Sequence, residues 1–444
     1  MQMFIPVSIT MQILSRENRD LLVRVSRLKW VDGLTQKEIG AKLDPERLQS
    51  EVSKLLNQGK PYRLVRHEVD ANTAITGDRD QERSNELREK FGLESAEAIK
   101  VAEDLDNDGV HVALANYTAE VVRPKLRSDD HLAVAGGRTI ARLCRALTHA
   151  PVDVNHVVVT PLGGRLWSGH LWRSPSRESR YLEQPLNPDD CALILARGLH
   201  AGIQPEVTFS QVSHPLFARS EEEAIAITKE NCAFRPRSGW NWGLKAPSHA
   251  FVGVGEVTTA THHRLAEWLE HGKKFPPQSP LSQIRQAIDS ATRAKLPPFG
   301  DVANRVFISL PLPSKLPENP KARTALLQTI RRLDDILLRV NRQSVVMDWD
   351  HLRDIRSVIA IAGGTETAQK IHALWTLLLA TSLFEKGAKF RLLTSLTTNS
   401  DTAQILIDER KLLEEQGETA KSWYREALTF LFPKCRNRSA RAGG

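Results

Sequence analysis

Cysteine is scarce and dispersed in this chain: Cys144, Cys191, Cys232 and Cys435 are its only four, and no two stand in a C-x-x-C spacing. That argues against a disulfide framework and against a cysteine-ligated zinc site, and it fits a reducing compartment. Long apolar runs are also missing, since no stretch approaches the ~18 uninterrupted apolar residues that a bilayer span needs. The opening MQMFIPVSITMQIL is apolar but carries no preceding basic region and no small-residue cleavage site, so a cytoplasmic protein with no membrane association is expected. Catalytic signatures are absent as well. Ser168 and His170 lie in no G-x-S-x-G elbow, and His262-His263 are adjacent, a spacing from which two rings do not easily converge on one metal. No catalytic residue, metal ligand or cofactor is expected.

What is present is a long, apolar and basic chain. With 444 residues, 41% hydrophobic and 26% charged, it is far from a disordered composition and long enough for two or more domains. The formal charge is +8, and residues 1–67 hold 12 Lys or Arg against 7 Asp or Glu, so most of the excess sits in the first segment. A polyanionic partner is the natural reading of such a concentration.

That first segment has the pattern of three helices. Leu21, Leu22, Val25, Leu28 and Trp30 fall at helical spacing until Gly33. Thr35-Gln36-Lys37-Glu38 is a capping box, followed by Ile39 and Leu43 on one face. Asp44 with Pro45 predicts the start of a third helix whose buried stripe is Leu48, Val52, Leu55 and Leu56. Arg47, Gln49, Ser50, Ser53 and Lys54 lie off that stripe. With Gln36 they form the candidate DNA-binding set: Arg and Lys can pair with guanine or phosphate, Gln with adenine, Ser with either. Tyr62 to Val69 alternates as a short strand, the wing of a winged helix-turn-helix.

The expected domains are therefore a helix-turn-helix DNA-binding domain at 1–70, a polar linker at 71–84, an effector-binding domain at 85–432 and a basic flexible tail at 433–444. In the long domain apolar strands run into glycines and then helices, the mark of a Rossmann-like α/β fold with a parallel sheet. Strands are predicted at His131 to Val134, Val157 to Thr160, Ala250 to Val254 and Val358 to Ala362. The loops after them, at the carboxyl edge of such a sheet, supply the candidate effector-binding residues. These are Gly136, Gly137, Arg138 and Thr139, then Gly163 and Gly164, then Gly255, Glu256 and Asp301, and last Gly363, Gly364, Thr365 and Glu366. Glycines let a backbone approach a ligand, a helix N-terminus attracts anions, and Arg138 and Thr139 add donors. Each pair of glycines could equally serve loop geometry alone.

The order of these motifs resembles the SorC/DeoR sugar-binding family of bacterial transcriptional regulators. The residues that carry the likeness are Leu34 to Ile39 with Val52 to Leu56, Arg88 to Leu93, Ala135 to Thr139, Thr160 to Gly164, Phe251 to Gly255, Phe299 to Val302 and Ile359 to Gly364. The resemblance implies a winged helix-turn-helix joined to a domain similar to sugar-phosphate isomerases. It also implies a homodimer or homotetramer that binds a double-stranded DNA operator under the control of a sugar or sugar-phosphate effector. By the same likeness the phosphate would meet Gly136 to Thr139. The chain departs from the family in three places. The spacing from Leu43 to Val52 is longer, Thr367 stands where a lysine is common after the late double glycine, and Thr394 to Asp401 is expected as an extended loop. Extra sequence near 165–184 and an added helix from Asn319 to Arg342 are also expected. The alternative is a sugar-phosphate isomerase type of enzyme with an accessory DNA-binding unit.

Overall fold

The structure is a computed structural model that describes residues 34–43, 47–59, 77–103, 105–148, 156–164, 187–200, 207–209, 216–230, 247–257, 276–364, 367–383 and 391–432, together with Leu21, Val25, Leu28 and Val154. The chain divides into two compact units, Met1–Ala71 and Asn72–Gly444.

In the first unit helix α1 (Gln36–Lys42) opens on the expected capping box: the Thr35 hydroxyl accepts from the Glu38 N–H, and the Glu38 carboxylate accepts from the Thr35 N–H at 2.7 Å. Helix α2 (Gln49–Gly59) begins later than predicted. Its entry is set at Leu48, whose N–H donates to the Glu51 carboxylate at 2.9 Å. Leu48 is consequently turned outward, 71% exposed, instead of joining the buried stripe. Val52 does join it, packing with Val25, Ile39 and Leu43, and Leu55 and Leu56 close over them. The two helices approach at Gly40, whose carbonyl accepts from the Arg47 N–H; a Cβ there would lie 2.1 Å from the Arg47 oxygen. Asp44 and Pro45, the Tyr62 to Val69 wing and the 433–444 tail lie outside the described residues.

The second unit is built on a ten-stranded sheet ordered β1-β2-β10-β9-β6-β3-β4-β5, with β7 and β8 joined off this path to β6. The strands are β1 (Asp78–Arg79), β2 (Ser95–Lys100), β3 (His131–Val134), β4 (Val157–Pro161), β5 (Val207–Phe209), β6 (His249–Val257), β7 (Phe299–Val302), β8 (Arg305–Phe307), β9 (Ser357–Ile361) and β10 (Ser395–Asn399). From β2 to β5 every neighbouring pair is parallel, and β1 is antiparallel on the edge. All of β3 and most of β9 are buried, as expected of apolar strands covered on both faces.

The helices are α3 (Gln81–Phe91), α4 (Asn107–Val122), α5 (Arg138–Leu147), α6 (Pro188–His200), α7 (Glu221–Glu230), α8 (Pro280–Arg293), α9 (Pro320–Arg342), α10 (Trp349–Asp354), α11 (Thr367–Ser382), α12 (Ser400–Glu415) and α13 (Gly417–Leu431). The crossovers through α4, α5 and α6 run one way along the sheet, and the one through α11 runs the other. Right-handed crossovers of opposite direction put those two sets on opposite faces. Packing agrees: α4 touches α5 and α5 touches α6, while α11, α12 and α3 pack together. The second layer is held by edge-to-face rings, with Trp375 6.0 Å from both Phe91 and Tyr424, and by the Tyr424 hydroxyl donating to the Pro311 carbonyl at 2.8 Å.

Three expectations change here. The linker expected over 71–84 is shorter, because Asp78–Arg79 pairs with β2 and Asp80 caps α3. Polar composition hid this: the buried side chains are Asp80 and Ser84, satisfied by the Arg83 N–H and the Ala98 N–H. Thr394 to Asp401 is not a loop, since β10 runs straight into α12. And β6 does not stop at Val254 but continues to Val257, paired antiparallel with β7, which turns through Ala303 and Asn304 into β8. Both turn residues have positive φ, 51° and 68°, as a two-residue hairpin matching the twist of its strands requires. The added helix at Asn319 to Arg342 is present as α9, capped by Asn319.

Candidate functional site

The chain leaves β3 toward β4 and leaves β6 toward β9, so the direction of winding reverses between these two adjacent strands. Outside the carboxyl ends of strands at such a reversal the two covering helix layers part and leave a crevice. Gly136 and Gly137 follow β3 at that point, and Arg138 and Thr139 open α5. Gly137 is the N-cap residue at φ 117°, a conformation open to glycine, and no side chain caps the helix. The first backbone N–H groups of α5 thus lack a capping side chain. Arg138 is exposed and Gly136, Gly137 and Thr139 are half-buried.

The remaining predicted residues divide according to strand geometry. Successive residues of β6 face opposite sides. Gly253 and Gly255 share the half-exposed face, where Gly253 lies against Ile140 of α5. Asp301 sits directly opposite Gly255 on β7 and so shares its face. Glu256 points the other way, is buried under α11, and accepts from the Ala373 N–H at 3.1 Å. Burial raises its pKa to about 8. The expectation that Glu256 lies in a loop facing the ligand is therefore corrected: it is a strand residue on the opposite face from Gly255.

The other double glycines are packed. Gly164 donates its N–H to the Val345 carbonyl at 2.6 Å, and a Cβ on Gly163 would lie 3.2 Å from a Val346 methyl. A Cβ on Gly363 would lie 2.4 Å from the Asn399 amide oxygen, and one on Gly364 2.2 Å from that of Asn107. Thr365 and Glu366 lie outside the described residues.

Sequence reasoning missed the groups that α4 brings to this edge. Asp106 caps α4, accepting from the Gly109 N–H at 2.7 Å. Asp108 bonds Arg142 and stands 4.0 Å from Arg138, orienting both arginines. His111 is buried with its Nε2 2.9 Å from the Gly363 carbonyl oxygen. Lys370 Nζ lies 2.6 Å from the same ring nitrogen and donates to the same carbonyl at 2.8 Å. One ring nitrogen cannot both donate to a carbonyl and accept from an ammonium. A neutral ring protonated on Nδ1, with Lys370 donating to both acceptors, satisfies all three groups. Burial and then the Lys370 charge lower the His111 pKa to about 3, which keeps that ring neutral. The lysine absent at Thr367 thus has a counterpart one helical turn later. These groups follow no strand-end glycine motif, and the helical spacing of Asn107, Asp108 and His111 is the one local signal they leave in the sequence. Among the described residues no three His, Cys, Asp or Glu side chains gather as a metal site, and no helix is long and apolar enough to cross a membrane.

Residues 77–171 match the family model Sugar-bind, described as "Putative sugar-binding domain". Over this segment, well under half of the chain, the protein is similar to that sugar-binding domain family. The sugar-binding likeness expected from the motifs is borne out for this segment, which includes β3, the Gly136 to Thr139 loop, α4 and β4. Solved structures are similar to most of the chain at low identity. The full-length sorbitol operon regulator SorC from Klebsiella pneumoniae is 17% identical over 88% of this chain and 100% of its own, with a TM-score of 0.46. A transcriptional regulator from Streptococcus pneumoniae TIGR4 is 18% identical over 76% and 97%, TM-score 0.46. A DeoR family transcriptional regulator from Listeria monocytogenes is 16% identical over 73% and 98%, TM-score 0.46. No curated protein matches the sequence. The candidate site itself is defined by the crevice geometry.

Proposed function

We propose that this protein is a cytoplasmic, non-enzymatic transcription regulator whose operator binding is set by a sugar or sugar-phosphate bound in the crevice after β3. The observation that carries the reading is the coincidence of the sugar-binding domain match with an uncapped helix N-terminus and Arg138 at the reversal of strand order. An anionic group meets the α5 N–H groups and Arg138, and Asp301 accepts from hydroxyls. In the first unit α2 offers a polar face. Gln49, Ser50 and Lys54 are exposed and Arg47 and Ser53 half-buried, while Val52 is inside. That face, with Gln36 on α1, reads the major groove as the second helix of a helix-turn-helix. Homodimers or homotetramers present paired reading heads to two half-sites, and the effector acts by binding one assembly geometry more tightly than another.

A stabilisation screen with sugars and sugar phosphates tests the reading. A true effector at 100 times its Kd adds about 2.7 kcal/mol. Replacing Arg138 and Thr139 by alanine removes that response and leaves DNA affinity intact. Arg47→Ala and Lys54→Ala weaken DNA binding and leave the sugar response. No stabilising sugar, or turnover of a sugar phosphate by the purified protein, overturns the proposal.

A further inference from the structure

A cavity of about 600 Å³ lies between α7, α9, β8 and the segment that leads into α10. Its apolar wall includes Ile225, Phe307, Leu338, Trp349 and Phe432. Arg305 enters this wall from β8 with its guanidinium carbon 5.2 Å from the centre of the Trp349 ring. Its Nε is buried with no hydrogen-bond partner, and burial pulls the guanidinium pKa below its usual value. That Nε has lost water without gaining a hydrogen bond, a costly state unless something else occupies the space.

Asp348, Asp350 and Asp334 favour the guanidinium charge from nearby without bonding its Nε, and the acids of the wall have other partners too. Glu221 lies 3.8 Å from Arg342, Asp348 is 2.9 Å from His351, and Asp350 is 3.5 Å from Arg353. Asp334 is the remaining carboxyl of the wall, and burial followed by the neighbouring Asp335 charge raises its pKa to about 7. A large part of it is neutral near pH 7 and able to donate a hydrogen bond. One cation, one protonatable carboxyl and an aromatic floor suit an anion of single charge on an apolar body. A sugar phosphate suits them poorly, because its second negative charge meets Asp348, Asp350 and Glu221 while its hydroxyls face hydrocarbon.

We propose that this cavity is a second small-molecule site, one that takes a compact organic acid with its carboxylate on Arg305 and its apolar body against Trp349, Phe307 and Leu338. Its lining includes none of Gly136 to Thr139, Gly253, Gly255 and Asp301, and nothing in the sugar reading is needed for it.

The probe is 3-phenylpropanoate, with 3-phenylpropanamide and 3-phenylpropylamine as its neutral and cationic counterparts, titrated into the full chain and followed by tryptophan fluorescence and thermal midpoint. The acid binds saturably and raises the midpoint, and the amide binds about tenfold or more weakly, the loss expected when a charge-assisted hydrogen bond is removed. Arg305→Gln brings the acid down to the affinity of the amide. Leu338→Trp, which fills the cavity without touching the charge, abolishes both and serves if the Arg305 variant does not fold. Equal binding of acid and amide, preference for the amine, or no saturable binding of the acid overturns the assignment. So does loss of acid binding in the Arg138→Ala, Thr139→Ala protein, which would put the acid in the crevice; a null sugar screen with intact acid binding would leave this site standing.

Discussion

At Gly137 an added methyl group would meet nothing within 4 Å, whereas at Gly364 it would lie 2.2 Å from the Asn107 amide oxygen. Both glycines are the second of a pair that ends a buried parallel strand and precedes a helix. After β3 the pair leaves space beside an uncapped helix, so its backbone is available to a ligand. After β9 the pair lets Asn107 and Asn399 close on the chain, with Gly364 donating to the Asn399 amide oxygen at 3.3 Å. The same two letters mark an opening in one place and a closure in the other, and the difference lies in residues distant in sequence.

The largest effect that can test this contrast is at the closed loop. Gly364→Ala forces its methyl into the Asn107 amide at a positive φ, and a loss of about 3 kcal/mol is expected in urea denaturation. A loss below about 1 kcal/mol would mean the loop is free to yield and the contrast is false.

The same closure implies an acid sensitivity. His111 has a pKa near 3 when folded against 6.5 in the reference state, so between those values the unfolded chain holds more protons. Stability must therefore rise with pH across that window and fall on acidification, by up to about 1.4 kcal/mol per pH unit from this one group. His111→Gln flattens the slope between about pH 6.5 and pH 3 relative to the native protein. Identical slopes would show the ring to be solvated.

At the open loop, Gly137→Ala has no steric conflict and only the strain of φ 117° to bear, about 1 kcal/mol or slightly more, and the effector-induced stabilisation should persist in reduced form. A cost as large as that at Gly364 would show the loop after β3 to be packed as well. The smallest effect is expected at Gly163→Ala, where the contact is a Val346 methyl at 3.2 Å that can give way. A loss below about 1 kcal/mol is predicted by thermal melts, and a larger one would move this pair beside Gly364.

The sequence patterns made β3, β4, β6, β9 and the parallel character of the sheet legible, because apolar runs that end in glycine have one stable destination, a parallel sheet covered on both faces. The capping box of α1 was legible for a similar reason, since it is satisfied within a few residues. Leu48, Asp80 and Glu256 were misread because their environment is set from outside the local pattern. Glu51 fixes the start of α2, Ser84 and Arg83 make a polar edge part of the core, and β7 extends β6 so that alternation turns Glu256 away. In the site itself, the glycines were visible and their work was not. What they contact comes from α4 and β10, more than 200 residues away from Gly364 in the case of Asn107, and no local motif reports that.

The length of β6 has a mechanical meaning. One continuous strand is bonded to β3 and β9 through its first part and to β7 through its last, so the floor beside the crevice and the hairpin that bears Arg305 belong to a single stiff rod. Rocking one end levers the other, because yielding in between would break ladder hydrogen bonds. Displacing β6 at Gly253 while the β7–β8 hairpin stayed in place would cost those ladder bonds.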